Sequence, residues 1–220
     1  MANSYNKEIL ENILDIYSSI KDGIEGRLEE FAIIWETETE ENLFSELAFC
    51  LLTPQSKAKM CWSSICTLKE KNALIDGKEE EVLDCLYGVR FKYKKAKYLV
   101  EVRELFKVDG KVSVRRLIEN GNTPFEIREW LVKNVKGMGH KEASHFLRNV
   151  GKGRDLAILD RHILKNMKLI GIIDKIPDSM PPKKYLELEG ILRQFSDEIG
   201  IPMDHLDIVL WYKETNEIFK

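Results

Sequence analysis

Apolar side chains recur along this chain with the three- and four-residue spacing of amphipathic helices. One stripe precedes Gly23, which we expect to end its helix, and it comprises Ile9, Ile13, Ile16, Tyr17 and Ile20. A second stripe stops at Pro54, and it comprises Leu43, Phe44, Leu47, Ala48, Leu51 and Leu52. Proline does not continue a helix because it lacks an amide hydrogen. The first part of the chain is therefore predicted to be helical.

The same periodicity continues toward the C-terminus. Thr123 and Pro124 have the residue types of an N-cap followed by the first helical position. A later helix is expected to end near Gly200, and Asp204 is placed to cap a last helix. We find no convincing two-residue alternation and no hairpin turn between alternating runs. The pattern predicts an all-α fold.

Residues 133–151 read KNVKGMGHKEASHFLRNVG, which predicts two helices joined by a tight glycine turn. The second helix has a buried stripe and ends at Gly151, and the stripe comprises Ala143, Phe146, Leu147 and Val150. Such a helix-hairpin-helix presents backbone amides to a DNA phosphate, here from Gly137, Gly139 and His140. An ordinary αα-hairpin with a glycine turn fits the same letters.

Lys141 lies in the first turn of that second helix. Ser144, His145 and Arg148 continue its side of the helix, so we expect this stripe to face away from the core, with Arg148 available to DNA. A helix N-terminus disfavours a cation and so favours the neutral amine, the form that attacks an electrophilic carbon. A surface lysine that binds phosphate is the simpler alternative.

Asp160 follows the apolar run 156–159 and precedes another helical pattern, so we predict that it is an N-cap. A carboxylate fixed by capping amides stays ionised. It can then stabilise a cationic transition state or accept a proton from a nearby lysine.

The net charge is −3, but its distribution is uneven. Residues 25–46 contain eight Glu and one Arg, whereas residues 133–168 contain nine bases and three acids. Residues 90–97, RFKYKKAK, contain five bases and no acid. One face is therefore expected to meet a polyanion, although basic runs also form ordinary solvated helix faces.

The four cysteines have irregular spacings, so we expect reduced thiols rather than a metal or iron–sulfur site, and they are Cys50, Cys61, Cys66 and Cys85. Residues 1–20 lack the pattern of a signal peptide, and no apolar run is long enough for a bilayer. We expect a cytoplasmic protein with no membrane contact, cofactor or metal.

Longer strings resemble one known family. KGMGHKEASHFLRNVG, LAILDRHIL and the terminal LWYKETNEIFK are similar to the archaeal-type 8-oxoguanine DNA glycosylase/AP lyases, the second Ogg family of the helix-hairpin-helix glycosylase superfamily. The likeness runs from about residue 40 to the C-terminus. The absence of cysteine after Cys85 argues against the iron–sulfur branch of that superfamily.

The resemblance implies a bifunctional repair enzyme for double-stranded DNA. Lys141 would attack C1′ of the damaged nucleotide, displace the oxidised guanine and form a Schiff base that allows β-elimination. Asp160 would assist departure of the base. We expect one monomeric catalytic unit over residues 1–220, with a helix-hairpin-helix lobe at about 55–170. A second lobe would combine about 1–54 with 171–220, and the active-site cleft would lie between the lobes.

The resemblance also assigns binding residues. Gln55 would fill the gap left by the extruded base, and base recognition would use Trp211 and the terminal Lys220. Phe91 joins the base-recognition residues because it is an aromatic within the basic run, where it would stack on the extruded base or wedge the duplex. The residues alone are equally consistent with simpler roles: a turn residue for Gln55, core residues for Phe91 and Trp211, and a frayed tail for Lys220. The basic run adds further expected DNA contacts at Arg90, Lys94 and Lys95.

Two alternatives stay open at this point. One is a glycosylase for another oxidised base, such as a pyrimidine. The other is a non-catalytic helix-hairpin-helix module that binds DNA. The pair Lys141 and Asp160 favours an enzyme over a module.

Overall fold

The computed structural model describes residues 5–118 and 122–219. The helices are α1 (Lys7–Thr37), α2 (Glu40–Leu52), α3 (Ala58–Glu70), α4 (Glu79–Cys85), α5 (Lys92–Leu105), α6 (Val114–Ile118), α7 (Pro124–Asn134), α8 (His140–Asn149), α9 (Arg161–Ile170), α10 (Pro182–Ile199) and α11 (Met203–Thr215). A two-stranded hairpin, β1 (Lys107–Val108) and β2 (Lys111–Val112), lies between α5 and α6. The predicted all-α class is confirmed.

Local signals placed several helix ends correctly. Thr123 caps α7 through the amide of Glu126, and Pro124 is the first helical residue. Gly151 follows the C-cap of α8 with φ of 72°. The Asp204 prediction was wrong by two residues, because α11 already begins at Met203 after Pro202.

Gly23 does not end α1, which continues without a break to Thr37. A Cβ at Gly23 would lie 3.0 Å from Cδ1 of Ile218. The glycine therefore makes room for the C-terminal segment where that segment crosses α1. A helix tolerates one glycine at a cost of about 1 kcal/mol when packing compensates.

The hairpin was missed, although its turn signal is present in the sequence. Asp109 and Gly110 have φ of 52° and 77°, as the two central residues of a type I′ turn require. The strands have two residues each, which is too short for an alternating pattern to appear.

Two buried apolar clusters form the core. The first runs from Trp35 to Leu156, and the second combines Ile13 and Ile24 with residues between Ala157 and Leu210. Helix α2 packs in the first cluster and α9 in the second, and the predicted division into two lobes stays a prediction. Every residue from Leu43 to Leu52 is buried, so α2 is an internal helix.

Candidate active site

The turn between α7 and α8 begins the site. Gly137 has φ of 86°, and a Cβ there would lie 2.4 Å from the ring of Tyr98, so only glycine fits. Gly139 is the N-cap of α8 and has no side chain with which to cap the helix. Its own amide donates to Glu142 at 3.2 Å. The helix-hairpin-helix predicted from the sequence is confirmed.

His140 contributes to this turn through its backbone. Its ring is buried against Tyr185, with the centroids 5.2 Å apart, and Nε2 lies 3.0 Å from Glu129. The predicted DNA contact at His140 is therefore confined to the amide, because the imidazole points inward.

Lys141 is partly buried, with 22% of its side chain exposed. Nζ lies 3.2 Å from Oγ1 of Thr53 and 3.5 Å from Glu142. The Thr53 hydroxyl donates to the Cys50 carbonyl at 2.8 Å, so its lone pairs face the amine. The sequence reasoning missed Thr53, whose partner is 88 residues away in the chain.

The stripe that continues from Lys141 does not face solvent, which corrects the prediction. Ser144, His145 and Arg148 are all buried. Arg148 donates to Oδ2 of Asp207 at 2.6 Å, and its guanidinium lies over the ring of Phe31. Arg148 is therefore an internal ion-pair partner and does not belong to the DNA surface.

The carboxyl of Asp207 interacts electrostatically with both predicted catalytic residues. Burial raises the pKa of its carboxyl to about 6, Arg148 and Lys141 lower it, and Asp160 raises it. Lys141 and Asp160 are therefore both close enough to Asp207 to change its charge equilibrium. The lysine of α8 and the aspartate of α9 therefore both act electrostatically on one buried carboxyl of α11.

Asp160 is the N-cap of α9, as predicted. Its Oδ1 accepts from the amides of His162 and Ile163 at 2.8 and 2.9 Å. The carboxylate thus occupies two of the amides that every helix N-terminus leaves without a backbone partner. The predicted local geometry is confirmed, whereas the catalytic role stays a prediction.

Residues of α10 hold the segment before Asp160. The Tyr185 hydroxyl donates to the carbonyl of Ala157 at 2.7 Å and accepts from the amide of Leu159. Glu189 accepts from the amide of Ala157 at 2.8 Å and forms a buried bidentate pair with Arg128 of α7. These contacts fix the backbone of Asp160 against the helix-hairpin-helix.

The C-terminal segment lies at the junction of the two clusters. Ile218 packs against the second cluster and Phe219 against the first. Trp211 of α11 is partly buried, its ring is 5.1 Å from that of His162, and its buried Nε1 has no hydrogen-bond partner among the described residues. Lys220 lies outside the described residues.

An exposed basic and aromatic surface begins at the N-terminus of α5. Phe91 is 53% exposed, so it is not a core residue. Its φ is 58°. Arg90 and Lys94 are exposed beside it. Two tyrosines that the sequence reasoning passed over, Tyr87 and Tyr93, are also exposed here.

Lys95 does not belong to that surface, which corrects a second prediction. It is only 4% exposed, and its ammonium donates to the carbonyls of Leu52 and Pro54 at 2.7 Å each and to Oγ of Ser56 at 3.1 Å. Gln55, inside this loop, has an exposed side chain and φ of 55°. Lys94 and Lys95 are neighbours in the chain but lie in opposite environments.

Three of the four thiols are buried, and burial raises the pKa values of Cys50, Cys61 and Cys85. Across residues 5–118 and 122–219, no group of three or more His, Cys, Asp or Glu side chains has an arrangement that could hold a metal. Within the same ranges, no helix has the length and apolar character needed to cross a membrane.

The glycine turn, the lysine in the first turn of the second helix and the aspartate that caps the next helix define a class, the helix-hairpin-helix DNA glycosylases. The family model described as 8-oxoguanine DNA glycosylase matches residues 24–201, and the chain belongs to this family. The family predicted from the sequence strings is thereby confirmed.

Relatives agree over nearly the whole length. A protein of Fusobacterium nucleatum named 8-oxoguanine DNA glycosylase/AP lyase is 47% identical and covers 97% of this chain and 98% of its own. A crystal structure of the Thermotoga maritima 8-oxoguanine DNA glycosylase is 38% identical with a TM-score of 0.86, and it covers 97% of this chain and 99% of its own. The Methanocaldococcus jannaschii enzyme in complex with 15mer DNA containing 8-oxoguanine is 35% identical with a TM-score of 0.85, and it covers 97% and 100%.

Proposed function

We propose that this protein excises 8-oxoguanine from double-stranded DNA and cleaves the strand at the resulting site by β-elimination. The observation that carries the proposal is that Lys141, at the N-terminus of α8, and Asp160, at the N-terminus of α9, both act electrostatically on the buried carboxyl of Asp207. Full-length relatives named for both activities support it.

DNA is held by its backbone. The first amides of α8, which follow the turn at Gly137 and Gly139, lie at the positive end of the helix and bind a phosphate without reading sequence. The exposed surface of Arg90, Phe91 and Lys94 provides cations and an aromatic face for the rest of the duplex. A stacked base cannot reach Lys141, so the damaged nucleotide is extruded, and Gln55 fills the gap.

Chemistry follows in the cleft. The neutral amine of Lys141 attacks C1′, and the bond from C1′ to the base nitrogen breaks with its electron pair leaving on the base. Asp160 stabilises the positive charge that develops on the sugar and accepts the proton that the lysine nitrogen loses. Ring opening gives a Schiff base. Removal of a proton from C2′ then expels the 3′ phosphate and nicks the strand.

Base recognition uses the junction of the clusters. The unpaired indole N–H of Trp211 is a donor for a carbonyl of the base. Ile218 and Phe219 pack at this junction, and the residue that follows them in the chain, Lys220, is proposed to read the oxidised guanine. A site that hydrogen-bonds N7–H rejects normal guanine, which has no proton there.

Borohydride trapping tests the proposal. Incubation with a duplex that contains 8-oxoguanine opposite cytosine should give a covalent protein–DNA complex and a nicked strand, whereas undamaged duplex should give neither. Trapping on an oxidised pyrimidine instead would favour the alternative glycosylase. Binding with no trapped product on any lesion would favour the non-catalytic module. Size measurement in solution with and without duplex tests the expected monomer.

Deletion of Lys220 tests the base pocket separately. We expect a sharp loss of 8-oxoguanine excision with retained Schiff-base chemistry at a preformed abasic site, because Lys141 and Asp160 remain in place. Unchanged excision would mean that the terminus is inert. Equal losses on both substrates would mean that the truncation damaged the fold.

A further inference from the structure

Lys95 is a buried cation without an acidic partner. No carboxylate of the described residues lies within ion-pair distance of its ammonium, and its three donors are used by two carbonyls and one hydroxyl. A buried charge in such surroundings is costly to desolvate. Burial accordingly lowers the pKa of Lys95 to about 8. A methionine would fill the same space without this cost, so the arrangement needs a reason other than packing.

All three acceptors belong to one short segment. Leu52 is the last residue of α2, and Pro54 and Ser56 flank Gln55. Oγ of Ser56 also accepts from the amide of Arg90 at 3.0 Å, which ties the segment to the exposed basic surface. Residues 53–56 are therefore held from α5, in addition to the bonds that Thr53 makes to Cys50 of its own helix.

This segment has contacts in two directions. Oγ1 of Thr53 accepts a hydrogen bond from Nζ of Lys141 at 3.2 Å. Gln55 is held in the left-handed region, a conformation that a non-glycine residue adopts only when its surroundings impose it, and its side chain is exposed. One loop thus links the attacking amine to the residue that enters the stack.

We propose that Lys95 is a positioning residue for base extrusion: its ammonium fixes residues 53–56 so that Gln55 enters the DNA stack while Thr53 stays against Lys141. This inference rests on the proposed function, since it requires extrusion of a base. It adds a residue whose side chain touches neither DNA nor the reacting atoms.

The same helix provides a matched control. Arg103 of α5 is also a buried cation that donates to loop carbonyls, in this case those of Ala73, Leu74 and Gly77, with the shortest bond at 2.8 Å. Its loop has no contact with Lys141 or Gln55 among the described hydrogen bonds. Arg103 also pairs with the exposed carboxylate of Glu104, its neighbour in the chain, at 3.3 Å. Lys95→Met and Arg103→Met both remove bonds from a buried cation to loop carbonyls, and only one of the two loops leads to the site.

A double-mutant cycle tests the proposal, with single-turnover excision from an 8-oxoguanine duplex as the readout for wild type, Gln55→Ala, Lys95→Met and the double variant. Each single variant should slow excision by about 10- to 100-fold, as misplacement by about an ångström does. The double variant should be no slower than Lys95→Met, because Gln55 has already lost its position. Arg103→Met should excise at the wild-type rate once folding is verified.

A spectroscopic readout separates positioning from general loosening. With 2-aminopurine next to the lesion, saturating wild type should raise the fluorescence on extrusion, Lys95→Met should raise it less, and Arg103→Met should match wild type. Where Lys95→Met does not fold, Ser56→Ala removes one acceptor and serves in the same cycle.

The outcomes distinguish the two proposals. A wild type that neither excises nor is trapped overturns the proposed function. An active wild type with additive effects of Gln55→Ala and Lys95→Met, or with unchanged excision in Lys95→Met, overturns the role of Lys95 alone. An Arg103→Met variant as slow as Lys95→Met would also overturn it, since the loss would then follow from destabilisation.

Discussion

Helices α8 and α9 are each ten residues long and both begin at the candidate active site, but their N-termini differ. The cap of α8 is Gly139, which leaves the first amides without a side-chain acceptor and places Lys141 in the first turn. The cap of α9 is Asp160, whose carboxylate occupies two amides. An uncapped end can receive an anion, whereas a capped end holds a fixed negative charge.

The difference divides the chemistry between the two helices. In α8 the proposed role of the helix dipole is to help bind a phosphate of the substrate. In α9 the first amides are already occupied by the carboxylate of Asp160, whose proposed role is to stabilise charge on the sugar. One physical device, the positive end of a helix, thus supports binding at one position and charge stabilisation at the other.

The largest effect should come from the first turn of α8. Lys141→Gln should abolish base release and the borohydride-trapped complex, a loss of about four orders of magnitude or more, because no other amine takes the place of a nucleophile. Binding to lesion DNA should persist, since the amides of the turn remain. Gel shift and single-turnover assays on one duplex measure both properties, and full excision by this variant would refute the assignment of the nucleophile.

The cap of α9 should give the next effect. Asp160→Asn keeps the capping geometry but removes the charge, so excision should fall by about two to three orders of magnitude. Stability should fall by up to about 1 kcal/mol, because the neutral amide interacts less favourably with the helix dipole. Thr123→Ala is the matched control, because Thr123 caps α7 with a hydroxyl and has no predicted part in the chemistry. If both variants lose stability but only Asp160→Asn loses excision rate, the catalytic role of Asp160 is distinct from its capping role. If Asp160→Asn excises at the wild-type rate, Asp160 is only a helix cap.

The buried Lys95 should make the stability of the protein depend on pH. Its pKa is about 8 in the folded chain and 10.5 when exposed, so between these values the unfolded state binds more protons. The free energy of unfolding should therefore rise with pH over this interval, by up to about 3 kcal/mol from this group.

The measurement is the difference in unfolding free energy between wild type and Lys95→Met from pH 7 to 10. Lys95 also interacts electrostatically with Cys61, Glu142, Lys141 and Arg90. Because the Cys61 thiol can itself ionise in alkaline solution, both proteins should carry Cys61→Ala. A difference that stays constant with pH would contradict a buried, charged Lys95.

The smallest effect should come from making α8 resemble α9. Gly139 has φ of −99°, which serine also adopts, and the added Cβ would meet only the movable carboxylate of Glu142 at 3.1 Å. Gly139→Ser should stabilise the protein by a few tenths of a kcal/mol through a new cap. It should weaken binding to damaged and undamaged duplex alike by a few-fold, because the hydroxyl competes for amides that hold a phosphate. Unchanged affinity would place the phosphate elsewhere.

Signals that act within a few residues were predictable from the sequence. The caps at Thr123 and Asp160, the turn at Gly137 and Gly139, and the apolar stripe of α8 depend on hydrogen bonds and steric limits inside one turn or one helix. The strings that resemble the 8-oxoguanine DNA glycosylase/AP lyases added the chemistry, because the lysine and aspartate occur at the spacing of that family. Both kinds of inference use only the order and spacing of residues along the chain.

Only the tertiary structure decided which polar side chains are inside. Periodicity gives Arg148 and Lys95 the same polar character as any surface residue, yet Asp207 of α11 buries the first and the end of α2 buries the second. The contact of Thr53 with Lys141 and the room that Gly23 leaves for Ile218 likewise join distant segments. A local pattern fixes which side of a helix a residue occupies, but burial depends on what packs against that side. That partner comes from a part of the chain that no local interaction specifies.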